Sequence, residues 1–216
     1  MMSKDLSLDA WLTEWVALLK REGVGAGEGG IAVGKQLWAA YTEEGRYYHS
    51  AQHIWDLLAG LERFKAYVDD EGLVALAIWF HDVVYNPWAQ DNEARSAEYA
   101  RDSLVELGVE QTRAERVATL ILATSGHVAT EDTDCQLFLD LDLMGLGAEP
   151  SVYQKQSEDI RREYQMVPEP LYRAGRRHIL EEFIKRERLY YTPPLYELYE
   201  SQARLNLQQE IEELTN

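Results

Sequence analysis

Apolar residues recur at helical spacing along nearly the whole chain, and no stretch shows sustained alternation with β-branched enrichment and hairpin turns. The pattern predicts an all-α fold. Trp11, Trp15, Leu18 and Leu19 fall on one helical face, and Ser7 stands where a cap belongs. Further helices are expected near 31–43, 50–68, 71–84, 91–107, 110–124, 134–145, 150–165, 169–187 and 194–214. Pro87, Pro150, Pro168 and the Pro193-Pro194 pair fall between them, as helix breaks should. A length of 216 residues suits one core, so a single domain over 1–216 is expected.

A glycine cluster follows the first helix. Gly25, Gly27 and Gly30 satisfy G-x-G-x-x-G, and Gly29 to Lys35 approaches a phosphate-loop pattern with Gln36 in place of the final Ser or Thr. Neither follows a predicted strand, so the segment reads as an interhelical loop rather than a phosphate cradle.

One helix departs from the amphipathic pattern. Ala75-Leu76-Ala77-Ile78-Trp79-Phe80 is apolar throughout and ends at His81-Asp82. An unpaired charge at the end of a buried helix is costly, so the doublet needs a partner, and a metal ion is one. His53 lies before the doublet and Asp142 after it, with Asp140 two residues from Asp142 and on nearly the opposite side of a helix. Imidazoles and carboxylates without thiolates suit Mn, Fe, Ni, Co, Zn or Mg.

Other residues near these positions carry candidate chemistry. His49 would share a face with His53 if its helix extends that far, as a ligand or as a substrate contact. Arg46 is placed to grip a phosphate oxygen or to pair with a surface acid, and Arg176 is the second phosphate candidate, with His178 beside it. Glu93 stands at a helix start, where it either favours the helix dipole or acts as a base that orients water. Tyr47, Tyr48, Tyr85, Tyr190 and Tyr191 are either core or pocket lining, and no G-x-S-x-G element supports a serine nucleophile.

Composition narrows the partners. A net charge of −17, from 38 acidic and 21 basic residues, opposes nonspecific attraction to a nucleic-acid polymer or an anionic membrane. A small anion remains compatible where a cation and a few Arg groups reverse the local field. The start of the chain lacks the apolar stretch of a signal peptide, no run is long enough to cross a bilayer, and Cys135 is the single cysteine. A cytoplasmic protein is the expectation.

The spaced segments Arg46-Tyr47-Tyr48-His49-Ser50-Ala51-Gln52-His53-Ile54, Trp79-Phe80-His81-Asp82-Val83-Val84-Tyr85, Asp91-Asn92-Glu93-Ala94-Arg95-Ser96-Ala97 and Ala123-Thr124-Ser125-Gly126-His127 carry a resemblance. Leu139-Asp140-Leu141-Asp142-Leu143, Arg162-Glu163-Tyr164, Gly175-Arg176 and Ala203-Arg204-Leu205-Asn206-Leu207 extend it. The order resembles the HD superfamily of metal-dependent phosphohydrolases, specifically a small bacterial branch of it.

The resemblance implies a helical bundle of about eight to ten helices and one divalent ion held by His53, His81, Asp82 and Asp142. Asp142 takes that place because it matches the second Asp of the superfamily's Asp-x-Asp-Leu ending, with Asp140 in support. It also implies that His49 and His127 contact substrate or move its proton. The implied activity is hydrolysis of a phosphate ester of a small metabolite or nucleotide by a water activated at the ion. A noncatalytic nucleotide sensor and a di-iron oxygenase are the rivals. Superfamily members with two metals place two further His residues between the doublet and the final Asp, where this chain has only His127.

Overall fold

The computed structural model describes residues 6–128 and 130–215. They form ten α-helices and no strands, which agrees with the all-α expectation. The chain divides into two compact units, one ending at Phe138 and the other beginning at Leu139.

The first unit contains α1 (Leu8–Arg21), α2 (Glu28–Tyr41), α3 (Ala51–Phe64), α4 (Glu71–Phe80), α5 (Asn92–Glu106) and α6 (Gln111–Ala123), together with the beginning of α7 (Thr133–Asp142). Its centre is α4, in which every residue from Leu73 to Phe80 is buried. A helix apolar on all sides must be surrounded, and α1, α3, α5 and α6 all pack against it. Asp70 starts α4 by accepting the Leu73 N–H at 2.9 Å and is itself held by a two-pronged contact from Arg113 (2.6 and 2.9 Å). Arg113 also reaches Glu22, which ties the ends of α1, α4 and α6 together.

Four tryptophans join the first four helices. Trp11 of α1 lies 5.5 Å from Trp38, 5.6 Å from Trp55 and 4.4 Å from Trp79 between ring centres, with the edge-to-face tilt that aromatic quadrupoles prefer. The predicted glycine loop is shorter than expected: it ends at Gly27, and α2 begins at Glu28, ahead of the expected start at 31. The reason is a close helix contact. The indole N–H groups of Trp11 and Trp15 donate to the carbonyls of Gly34 and Gly30 at 2.9 and 2.8 Å, an approach that side chains at those glycines would obstruct.

Two helix ends also differ from expectation. The α3 helix stops at Phe64 and continues as a 3₁₀ turn, Lys65–Tyr67, while α4 stops at Phe80 rather than near 84. His81 and Asp82 therefore lie in the turn that leaves α4, where side chains are aimed by local carbonyl geometry as well as by helix periodicity.

The second unit contains the end of α7, a 3₁₀ turn (Leu143–Gly147), α8 (Pro150–Glu163), α9 (Glu169–Ile184) and α10 (Pro193–Thr215). The expected proline breaks recur here, with Pro150 and Pro193 opening α8 and α10 and Pro168 preceding α9. The α10 helix packs on α9 and on the 3₁₀ turn. Gly147 fits against the Tyr199 backbone, where a Cβ would come within 2.8 Å of its carbonyl oxygen. Asn206 donates to the Leu146 and Ala148 carbonyls at 2.8 Å each, satisfying acceptors that the turn leaves unpaired. Among the described residues no helix is long and apolar enough to cross a membrane.

Candidate metal centre

His53 is the third residue of α3, and His81-Asp82 follows the last residue of α4. The start of one helix and the end of its neighbour thus bring His53 together with groups 28 and 29 positions further along the sequence. One donor atom from each of His53, His81 and Asp82 lies within 4.8 Å of the others. The imidazole centroids are 5.4 Å apart at an interplanar angle of 56°, and His81 Nε2 is 3.1 Å from Asp82 Oδ2. His53 and His81 are 8% and 1% exposed, whereas the Asp82 side chain retains 19% exposure and marks the open side of the group.

Helix termination orients His81. The last carbonyls of an α-helix have no intrahelical donor, and Ile78 is one of these. Its oxygen lies 3.0 Å from His81 Nδ1. A carbonyl only accepts, so this contact places a proton on Nδ1 and directs Nε2 toward Asp82. The ring also meets Phe138 edge-on at 5.7 Å, which limits its rotation.

With Nδ1 protonated, two occupancies are chemically consistent between Nε2 and Asp82 Oδ2: a second imidazole proton, or a cation accepting both lone pairs. The spacing suits a shared cation. Neighbouring ligands at metal distances of about 2.1 Å are themselves about 3.0 Å apart in an octahedral arrangement. Two imidazoles and a carboxylate, with no thiolate, also match a borderline or hard divalent ion. The three-residue group passes the chemical test for such an ion.

The surroundings are aromatic. His49 lies outside α3 but its ring still comes within 6.2 Å of the His53 ring and stacks on Tyr85 at 4.5 Å. Tyr48 packs beside both imidazoles, 4.9 Å from His49 and 5.2 Å from His53. The loop after the doublet is fastened to the start of α5: Ser96 Oγ accepts the Val84 N–H at 3.1 Å, and the Asn92 amide makes two 3.0 Å bonds with the Asn86 backbone. Glu93, in the first turn of α5, is half-buried beside this fastening and is not part of the three-residue group.

Two arginines expected to meet phosphate are otherwise engaged. Arg46 directs Nη1 to the carbonyls of Asp82 (2.6 Å) and His49 (3.3 Å) and Nη2 to that of Val83 (2.9 Å). Arg176, in the second unit, pairs with Glu210 through Nε at 2.9 Å and Nη2 at 3.2 Å, with both side chains nearly buried. Sequence spacing identified a basic residue in each place but not the acceptors that fold against it.

His127 ends the turn after α6 with a left-handed backbone, φ 45°, half-buried and outside the three-residue group. His178 is exposed. Asp142 closes α7 in the second unit and is not among the three converging groups. Asp140 accepts the backbone N–H groups of Tyr191 and Thr192, at 2.9 and 2.6 Å, just before α10. Burial pushes its carboxyl up to about 6, despite those donors. Tyr41 was not anticipated: its hydroxyl accepts the Asp82 N–H at 3.2 Å.

No protein-family model, curated protein or solved structure matches the chain. The functional reading therefore depends on the residues and their geometry.

Proposed function

We propose that the chain is a metal-dependent phosphohydrolase of HD type, acting on a phosphate ester of a small metabolite or nucleotide. The observation that carries this reading is the convergence of His53, His81 and Asp82 from the facing ends of α3 and α4. These are the residue types, in the order, that the sequence resemblance assigns to a metal. When bound, a divalent ion there would supply Lewis acidity and a more acidic water. The Ile78 carbonyl holds the His81 ring in the tautomer needed for Nε2 ligation. His49, stacked on Tyr85 with its ring 6.2 Å from that of His53, would contact substrate or move a proton, and His127 and Glu93 are further candidates for proton transfer.

Elemental analysis and titration with Mn²⁺, Co²⁺ and Zn²⁺, followed by a phosphate-ester panel, test the proposal. About one ion per chain is expected, with Asp82→Ala abolishing uptake and turnover. His49→Ala and His127→Ala should keep the ion but lose turnover, since proton transfer and positioning typically contribute about 10²–10⁴-fold in rate. Asp142→Asn in the same titration tests the fourth residue that the resemblance implies. Full ion retention in Asp82→Ala would end the assignment.

A second reading comes from the same donor set, because two imidazoles and one carboxylate also serve non-haem Fe(II) oxygenases. Oxygen consumption by the iron-loaded protein, with no phosphate release, would favour it.

A further inference from the structure

The geometry points to Arg46 as a positioning residue for the metal centre, a clamp that joins the His81-Asp82 turn to the segment leading into α3. This inference rests on the metal reading above. Three observations carry it.

First, the guanidinium spans the two halves of the site. Nη1 is shared between the Asp82 carbonyl, at 2.6 Å, and the His49 carbonyl, at 3.3 Å, while Nη2 holds the Val83 carbonyl at 2.9 Å. Asp82 and Val83 follow the last turn of α4, and His49 stands two residues before α3 begins. One side chain therefore fixes the backbone on which Asp82 is mounted relative to the backbone that delivers His53.

Second, the position is built around a cation. The Arg46 guanidinium carbon lies 5.3 Å from the ring centres of both Tyr41 and Tyr85. A positive charge held on the turn just beyond Phe80 also complements the negative end of α4. Arg46 Nε is buried without a hydrogen-bond acceptor, so the two Nη groups and the rings hold the fork.

Third, the Asp82 backbone is held from both sides. Its carbonyl accepts from Arg46 while its N–H donates to the Tyr41 hydroxyl at 3.2 Å. The peptide orientation that directs the Asp82 carboxylate toward His81 Nε2 is therefore set by residues outside the ligand group. A lysine has no planar fork with which to hold two adjacent carbonyls at once.

The experiment is a Co²⁺ titration of the full chain, read by calorimetry and by the visible absorption of the bound ion, for wild type, Arg46→Gln, Arg46→Lys and Tyr41→Phe. Thermal unfolding of each ion-free protein is measured alongside. Loss of a group that orients ligands typically lowers metal affinity about 10–100-fold. That loss, with an altered absorption band, is expected for Arg46→Gln, with partial recovery in Arg46→Lys and a smaller loss in Tyr41→Phe. The last two variants supply the answer if Arg46→Gln does not fold.

A purely structural Arg46 would lower the unfolding temperature yet leave the Co²⁺ affinity and spectrum of the folded protein unchanged, and this overturns the clamp. Unchanged Co²⁺ affinity with weakened inorganic phosphate binding also overturns it, returning Arg46 to a substrate role. Wild type that binds no Co²⁺ removes the metal reading and the clamp together, whereas equal binding by wild type and variants removes the clamp alone.

Discussion

His81 Nδ1 lies 3.0 Å from the carbonyl oxygen of Ile78, one turn back along α4. The contact couples secondary structure to chemistry. A helix that ends at Phe80 leaves its last carbonyls open, and the imidazole that follows takes one of them. Had α4 continued to 84, the Ile78 carbonyl would have bonded the Asp82 N–H, and His81 would lack this anchor. The Asp82 N–H instead goes to Tyr41.

Ion binding at this anchored group should stabilise the fold, because the folded chain presents three converged donors and the unfolded chain presents none in register. At about one hundred times the dissociation constant the gain is about 2.7 kcal/mol. For a chain of this size that corresponds to a rise of about 5–10 °C in unfolding temperature. Differential scanning calorimetry should show this shift with Co²⁺ or Mn²⁺ in wild type but not in Asp82→Asn. Equal shifts in both proteins would place the ion elsewhere.

The glycines of α2 give a test independent of function. A Cβ at Gly34 would come within 2.5 Å of Trp15 Cδ1 and 2.8 Å of Leu12 Cδ2. The Trp15 indole cannot easily yield, since its N–H is held by the Gly30 carbonyl. Overpacking of about 1–3 kcal/mol should outweigh the gain of about 1 kcal/mol in helix propensity, so Gly34→Ala is expected to destabilise. At exposed Gly29 the nearest atom would be an ordinary 3.6 Å away, and Gly29→Ala should stabilise slightly. Urea unfolding of the two variants checks the contrast, and a stabilised Gly34→Ala would refute the close-contact account.

These glycines also mark where sequence reading stopped. Helical periodicity located the helices and prolines located the breaks, because both are local signals. The Gly25 to Gly30 stretch looked like a loop since intrinsic propensity is also local, while the tryptophans packed against Gly30 and Gly34 lie on α1. The candidate metal centre shows the same division. His53, His81 and Asp82 were readable from residue type and order, and their convergence follows from two sequential helices packing together. Arg46 was readable as a cation but not as a clamp, because its acceptors are backbone carbonyls of the turn after α4 and of the segment before α3, which no residue type announces. Tyr41 gave no signal at all.

Asp140 predicts a pH effect with a definite sign. Burial raises its folded carboxyl to about 6, above an unfolded value near 3.8, and the nearby Glu200 charge adds to the rise. The folded chain therefore holds this proton more tightly than the unfolded chain. Its contribution to stability is largest below the unfolded value and declines as pH rises through about 6. Asp140→Asn cannot titrate, so its stability relative to wild type should improve between pH 4.5 and 7. Urea unfolding at several pH values in that range measures the difference, and a constant gap would show that Asp140 is ionised throughout.

Arg176 separates a binding role from a structural one. Its pairing with Glu210 is nearly enclosed, at 12% and 8% side-chain exposure, and Glu210 also accepts from Tyr153 and Ser157. Removing one partner of a buried pair strands the other charge and typically costs about 3–5 kcal/mol. Arg176→Met should therefore lower the unfolding temperature by about 10 °C, on the scale expected for a chain of this length. The double variant Arg176→Met with Glu210→Leu should regain much of that loss, because no charge is left without a partner. A phosphate-binding arginine would behave in the opposite way, with near-normal stability in Arg176→Met and weakened affinity for inorganic phosphate. Calorimetric unfolding and phosphate titration of the single and double variants decide between the two, and an unchanged unfolding temperature in Arg176→Met would exclude the structural role.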